Sequence, residues 1–181
     1  MDMSDSGSQP ANLFWSTLYA QLSEFFKEPS AGFIADVASG RLAGFFDEQL
    51  RLLELDPAPC AGLAPGADVG ARLGNEYRRL FRGPLPPYVV PVESVYKKWA
   101  GDPGCDLPLA RQKGFLMGDP AVDMLRRYRD EGIAIPDELS SMPDHVALEL
   151  EYLSFLCLRG DADACREFLT RHLDWLDDLV R

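Results

Sequence analysis

The stretch Met142-Pro-Asp-His-Val-Ala-Leu-Glu-Leu-Glu-Tyr-Leu-Ser-Phe-Leu-Cys-Leu158 decides the fold. Val146, Ala147, Leu148, Leu150, Tyr152, Leu153, Phe155, Leu156 and Leu158 leave almost no polar face on a helix. A helix that is apolar on nearly every side must be packed on nearly every side, so this segment predicts a central buried helix. Ser141-Met-Pro-Asp144 ahead of it has the form of a capping box, with Pro143 near the first helical position. Downstream, Asp161 caps a last helix whose stripe is Cys165, Phe168, Leu169, His172, Leu173, Leu176 and Leu179.

Upstream the spacing stays helical. Asp119-Pro120 reads as an N-cap and first-turn proline, opening a helix that Gly132 closes. Leu13, Phe14, Leu18, Tyr19, Leu22, Phe25 and Phe26 mark a first helix that Pro29 ends. Ser30 caps a short one closed by Gly40, and Leu42 to Leu53 make a third. Asp68 caps a fourth, bearing Leu73, Tyr77, Leu80 and Phe81. Residues 56–67 and 100–118 read as loops, with a short helical piece, Val92 to Trp99, before the second. A loop as long as 100–118 is usually functional or mobile, which makes it a candidate hinge. Tyr88-Val89-Val90 is the one strand candidate, and prolines flank it. The expected fold is therefore an all-α, single-domain helical globule over residues 12–181, preceded by a flexible N-terminus, residues 1–11.

The 181 residues suffice for one core without disulfide or metal staples. Lys and Arg number 18 against 29 Asp and Glu, a formal charge of −11. Such a chain repels phosphate backbones, so nucleic acid is not its expected partner; a basic partner suits it. The first ten residues lack a basic n-region and an apolar core, and no apolar run is long enough to span a membrane. The expected compartment is the cytoplasm. Of the four cysteines, none forms a C-x-x-C pair; Cys157 and Cys165 read as buried thiols, and a Cys60–Cys105 disulfide stays open.

Enzyme motifs are missing: the sequence has no G-x-S-x-G, no H-E-x-x-H and no phosphate loop, so no catalytic residue is assigned. The only histidines are His145 and His172. His145 and Glu149, four apart, share a helix face. They can be two metal ligands, an acid–base pair, a binding-surface pair, or a helix-start residue with a carboxylate serving a buried site. Two ligands fall short of the three that zinc normally takes from protein. His172, inside an apolar stripe, reads as a core or rim histidine.

Several motifs stand in order: Glu76-Tyr-Arg-Arg-Leu-Phe81, Pro91-Val-Glu-Ser-Val-Tyr96, Phe115-Leu-Met-Gly-Asp-Pro120, Met142-Pro-Asp-His145 with Leu148-Glu-Leu-Glu151, and Phe168-Leu-Thr-Arg-His-Leu-Asp-Trp175. Together they resemble the TorD/DmsD/NarJ group of cytoplasmic maturation chaperones for molybdenum redox enzymes. The resemblance covers residues 12 to 178. It implies an all-helical, non-enzymatic chaperone that binds the twin-arginine leader of a molybdopterin oxidoreductase precursor. The enzyme is thereby held back from export until its cofactor is inserted. The alternatives are an assembly factor acting on the mature subunit of a membrane-bound respiratory reductase, or a non-catalytic helical adaptor. No cofactor is implied beyond weak guanine nucleotide binding, and members occur as monomers and as homodimers. Members usually continue for about another helix after the motif at His172, whereas this sequence stops at Arg181.

Carried over residue by residue, the resemblance places peptide binding at Leu80, Phe81, Pro143, Asp144 and His145. Tyr77, Glu93, Ser94 and Tyr96 match neighbouring motif positions. Physical chemistry asks for the same mixture. A leader with two arginines beside an apolar stretch needs carboxylates, which Glu76, Glu93, Asp144 and Glu149 supply, beside an apolar groove, which Leu80, Phe81 and Tyr96 supply.

Overall fold

The fourteen residues Val146–Arg159 form one α-helix, and most of the larger of two units is built on it. The computed structural model describes residues 8–56, 62–66, 68–83, 86 and 88–180. These fall into two compact units: residues up to Ser23 with those from Val89 on, and Glu24–Tyr88. The fold is all-α. Among the described residues the sole β pairing is an isolated antiparallel bridge between Val92 and His145, and no helix is long and apolar enough to cross a membrane.

The larger unit holds α1 (Ser8–Ser23), α5 (Glu93–Tyr96), α6 (Asp119–Glu131), α7 (Val146–Arg159), α8 (Ala162–His172) and α9 (Leu176–Leu179). The central helix expected from the sequence is α7. Val146, Ala147, Leu148, Leu150, Tyr152, Leu153, Leu156 and Cys157 are all buried, while Leu158 is exposed. It packs against α1 and α8. One polar pair is built into the α1 contact: the Ser154 hydroxyl donates to the Ser16 carbonyl at 2.8 Å.

The caps differ from expectation at two starts. His145, not Ser141, caps α7: its Nδ1 accepts from the Ala147 amide at 3.2 Å. Gly118 caps α6, so Asp119 lies inside the first turn and its carboxylate accepts from the Gly101 amide at 2.7 Å. Two caps agree: Ser30 accepts from the Phe33 amide, and Asp161 from the Ala164 amide. The last helix is split into α8 and α9, and side chains explain the break. The Trp175 indole N–H donates to the His172 carbonyl at 2.7 Å, and the Lys97 ammonium to the Arg171 carbonyl at 2.5 Å. Two acceptors that would continue the helix are thus taken.

Loop 100–118 is tied down by backbone pairs: Trp99 to Gln112, Ala100 to Ala110, Gly114 to Val95 and Asp119 to Trp99. Gly118 is required there, because a Cβ would stand 2.7 Å from the Trp99 carbonyl oxygen.

The smaller unit holds a 3-10 turn (Glu24–Phe26), α2 (Ala31–Ala38), α3 (Arg41–Leu52) and α4 (Val69–Tyr77). α4 continues as one π-helical stretch, Arg78–Arg82. The rings of Phe25, Phe33 and Phe46 meet edge to face. Of the expected N-terminal segment, residues 1–7 lie outside the described residues and residues 8–11 open α1. Cys60, and with it the Cys60–Cys105 pairing, also lies outside the described residues.

Candidate functional site

Glu93-Ser-Val-Tyr96 and Pro143-Asp-His145 are far apart in sequence and bonded in space. The Asp144 carboxylate accepts from the Ser94 amide at 2.7 Å and from the Ser94 hydroxyl. It thus caps the short helix α5 from another part of the chain. The backbone reinforces the clamp: the Glu93 amide donates to the Asp144 carbonyl at 3.0 Å, and the Val146 amide to the Pro91 carbonyl at 2.9 Å. The Ser94 hydroxyl also accepts from the Gly118 amide at 3.1 Å. One serine therefore fastens the start of α7, α5 and the end of loop 100–118.

Beside the clamp runs a polar chain that is buried at Glu93, His172 and Asp123 and reaches the surface at both ends. His172 Nδ1 is 2.8 Å from Glu93 Oε2, and its Nε2 is 2.9 Å from Asp123 Oδ2. The other Glu93 oxygen pairs with Lys97 at 2.6 Å, and Lys97 also reaches Asp174 at 2.5 Å. Asp123 is held by Arg126 and by Arg127 Nε at 2.9 Å, and Arg127 continues to Glu167 at 2.8 Å. Burial alone would raise the Asp123 carboxyl, but hydrogen bonds from Arg127 and His172 outweigh it and hold its pKa below the ordinary value.

Glu149 is the misfit. It is fully buried, and neither of its oxygens has a hydrogen-bond partner of normal geometry. Burial, then the charges of Glu93 and Asp144, drive its pKa well above 4.5. Its environment therefore favours the neutral acid over the carboxylate. Asp144 Oδ1 is likewise unpartnered, and burial raises the Asp144 carboxyl against the opposing pull of Ser94. Glu93, Glu149 and His172 each bring one ligand-type atom within 4.8 Å of the others, so these three could hold a cation. In this structure Lys97 pairs with Glu93 and Arg127 with Asp123, and a ring nitrogen of His172 lies within hydrogen-bond distance of each carboxylate.

A cleft of about 480 Å³ opens onto the chain. Its lining is mixed in charge: Glu93, Asp119, Asp123 and Asp174 face Lys97, Lys98, Lys113 and Arg171, with Tyr96 and His172 among them. The Tyr96 ring stacks on that of Trp175 at 5.0 Å. Asp119 and Asp174 are exposed.

Seven of the eleven expected site residues thus come together in the larger unit: Glu93, Ser94, Tyr96, Pro143, Asp144, His145 and Glu149. All but Tyr96 are buried. The other four, Glu76, Tyr77, Leu80 and Phe81, belong to the smaller unit. Glu76 is exposed and pairs with Arg79 at 2.6 Å. Tyr77, Leu80 and Phe81 are half-buried, and the Phe81 ring packs between those of Phe26 and Tyr77. Sequence reasoning missed Asp123, Lys97 and Arg127 as members of the chain; His172 is the core histidine expected, stacked on Phe168, and its two carboxylate partners were not foreseen. The motif ending in Trp175 carried the signal for His172; ion partners from α6 left none.

The profile of one protein family, described as nitrate reductase delta subunit, matches residues 46–181. The clamp, the polar chain and the cleft all fall inside that range. No curated protein and no solved structure matches the chain.

Proposed function

This chain belongs to the nitrate reductase delta subunit family of molybdoenzyme maturation chaperones, and from that premise we propose that it binds the twin-arginine leader of a molybdopterin oxidoreductase. The bound precursor, with its apo catalytic subunit, is held for cofactor insertion before export. One observation carries the reading: the cleft beside the motif residues is lined by two exposed carboxylates, Asp119 and Asp174, and by Tyr96, with Lys97, Lys98, Lys113 and Arg171 as the cations an incoming arginine must compete with. An arginine pairs with carboxylates in bidentate fashion and stacks on aromatic faces, so two adjacent arginines find both kinds of contact there. Asp174 is now paired with Lys97, and Asp119 with a backbone amide; both are surface contacts that an incoming guanidinium can exchange.

In this reading Pro143, Asp144, His145, Glu93, Ser94 and Glu149 act from beneath, holding Tyr96 and the cleft wall in position. Glu76, Tyr77, Leu80 and Phe81 of the smaller unit are proposed as acidic and apolar contacts of their own, testable by Leu80→Ala with Phe81→Ala. The charge of −11 favours encounter with a basic leader.

Calorimetry with leader peptides tests the placement. The Asp119→Asn, Asp174→Asn double variant should keep its helical circular dichroism and bind about tenfold more weakly, a loss of about 1.4 kcal/mol. Unchanged affinity would remove the cleft from the account. The description of the matching family as a reductase subunit favours a second reading, action on the mature catalytic subunit. Capture of that subunit without its leader, and not of the leader alone, would select it.

A further inference from the structure

We infer that Cys157 and Cys165 are a reactive dithiol, which a low-molecular-weight disulfide such as oxidised glutathione converts to an intrachain disulfide. The two lie on either side of the Gly160–Asp161 turn, Cys157 near the end of α7 and Cys165 in the first turns of α8. Their sulfurs are in contact at 3.5 Å. A bond needs about 2.05 Å, so the approach still required is about 1.5 Å, the scale of side-chain rotation. A cleft of about 300 Å³ is lined by both cysteines and walled by Trp15, Tyr19 and Leu169. It lies beside the far end of the α7–α8 hairpin from His145 and His172, and the inference does not depend on leader binding.

Access sets the order of events. Cys165 is partly exposed and Cys157 is buried. Burial, then contact with Cys165, pushes the Cys157 thiol up to about 12. Cys165 therefore attacks first, as the thiolate, on one sulfur of glutathione disulfide. That S–S bond breaks, and the departing glutathione thiolate takes up the proton Cys165 gave up. The Cys157 sulfur, losing its proton to solvent, then attacks Cys165 in the mixed disulfide. A second glutathione thiolate leaves and is protonated. The pair is oxidised by two electrons, and one glutathione disulfide is reduced to two glutathione molecules.

The experiment uses the full chain carrying Cys60→Ser and Cys105→Ser, so that the pair alone reacts. After treatment with glutathione disulfide the intact mass should fall by about two units, with a Cys157–Cys165 cross-link in the peptide map. Adding Cys157→Ser should trap a stable glutathione adduct on Cys165; adding Cys165→Ser should give no adduct. Two alkylatable thiols after treatment, or an adduct on Cys165 that never closes while Cys157 is present, would overturn the inference. If the Cys157→Ser chain does not fold, the cross-link map of the unsubstituted pair decides alone.

Discussion

Glu149 and Asp123 sit in the same polar core and respond to pH in opposite senses. The Glu149 pKa is raised by burial and by Glu93, so its contribution is fully present below the ordinary value of 4.5 and is lost as pH rises towards the folded value. The Asp123 pKa is depressed, so its contribution is present above the ordinary value of 3.8 and is lost as pH falls through the folded value. Glu149→Gln keeps the shape of the neutral acid and removes the first effect. Denaturant titrations across pH should show the variant gaining on the parent as pH climbs above about 4.5; a constant difference would contradict the protonated reading. Asp144→Ala leaves the Ser94 amide and hydroxyl without their buried acceptor, and should cost about 3 kcal/mol in the same titrations. The sequence makes Asp144, His145 and Glu149 legible as a group, because their spacing marks a helix start. It does not show their burial, which depends on α5 closing over them from fifty positions upstream.

At the scale of elements, periodicity carried most of the fold. The apolar run of residues 146–158 made α7 legible, since a helix with no polar face has nowhere to be but inside. Substitution should follow that burial. Leu153→Ala removes a side chain with no exposure and should cost about 3 kcal/mol, whereas Leu158→Ala, on the exposed side of the same helix, should stay within about 0.5 kcal/mol. Thermal melts of the two variants give the comparison directly, and equal shifts would contradict the central placement of α7. Helix ends were less legible, because several side chains compete for the end groups, from nearby as well as from distant positions. His145 displaces Ser141 as the cap of α7, and Trp175 and Lys97 take the carbonyls that would have joined α8 to α9. The π-helical stretch at Arg78–Arg82 has no sequence mark, since it is a choice of backbone register. Loop 100–118, whose length suggested a hinge, is hydrogen-bonded in this structure to Ser94, Val95, Trp99 and Ala100.

For the whole molecule, the motif order and the family match point to a molybdoenzyme maturation chaperone, and the charge of −11 suits the basic segment that the proposed reading gives it as a partner. The family was legible in the sequence because its motifs keep their order. The burial of the motif residues was not: Glu93, Ser94, Pro143, Asp144 and His145 turn inward, while the motif acids Asp119 and Asp174 stay exposed and line the cleft in which the proposed reading places the leader. A field of this sign acts over about 10 Å at 0.1 M salt, so leader binding should weaken as salt rises. The most direct test is calorimetry of the full chain against twin-arginine leader peptides from molybdopterin oxidoreductases of the same genome, each beside a variant with both arginines changed to lysine. One leader should bind at micromolar Kd or tighter, and its lysine variant about tenfold more weakly, because lysine cannot make the bidentate pair. Binding to none of them, or equal binding of the arginine and lysine forms, would contradict the account.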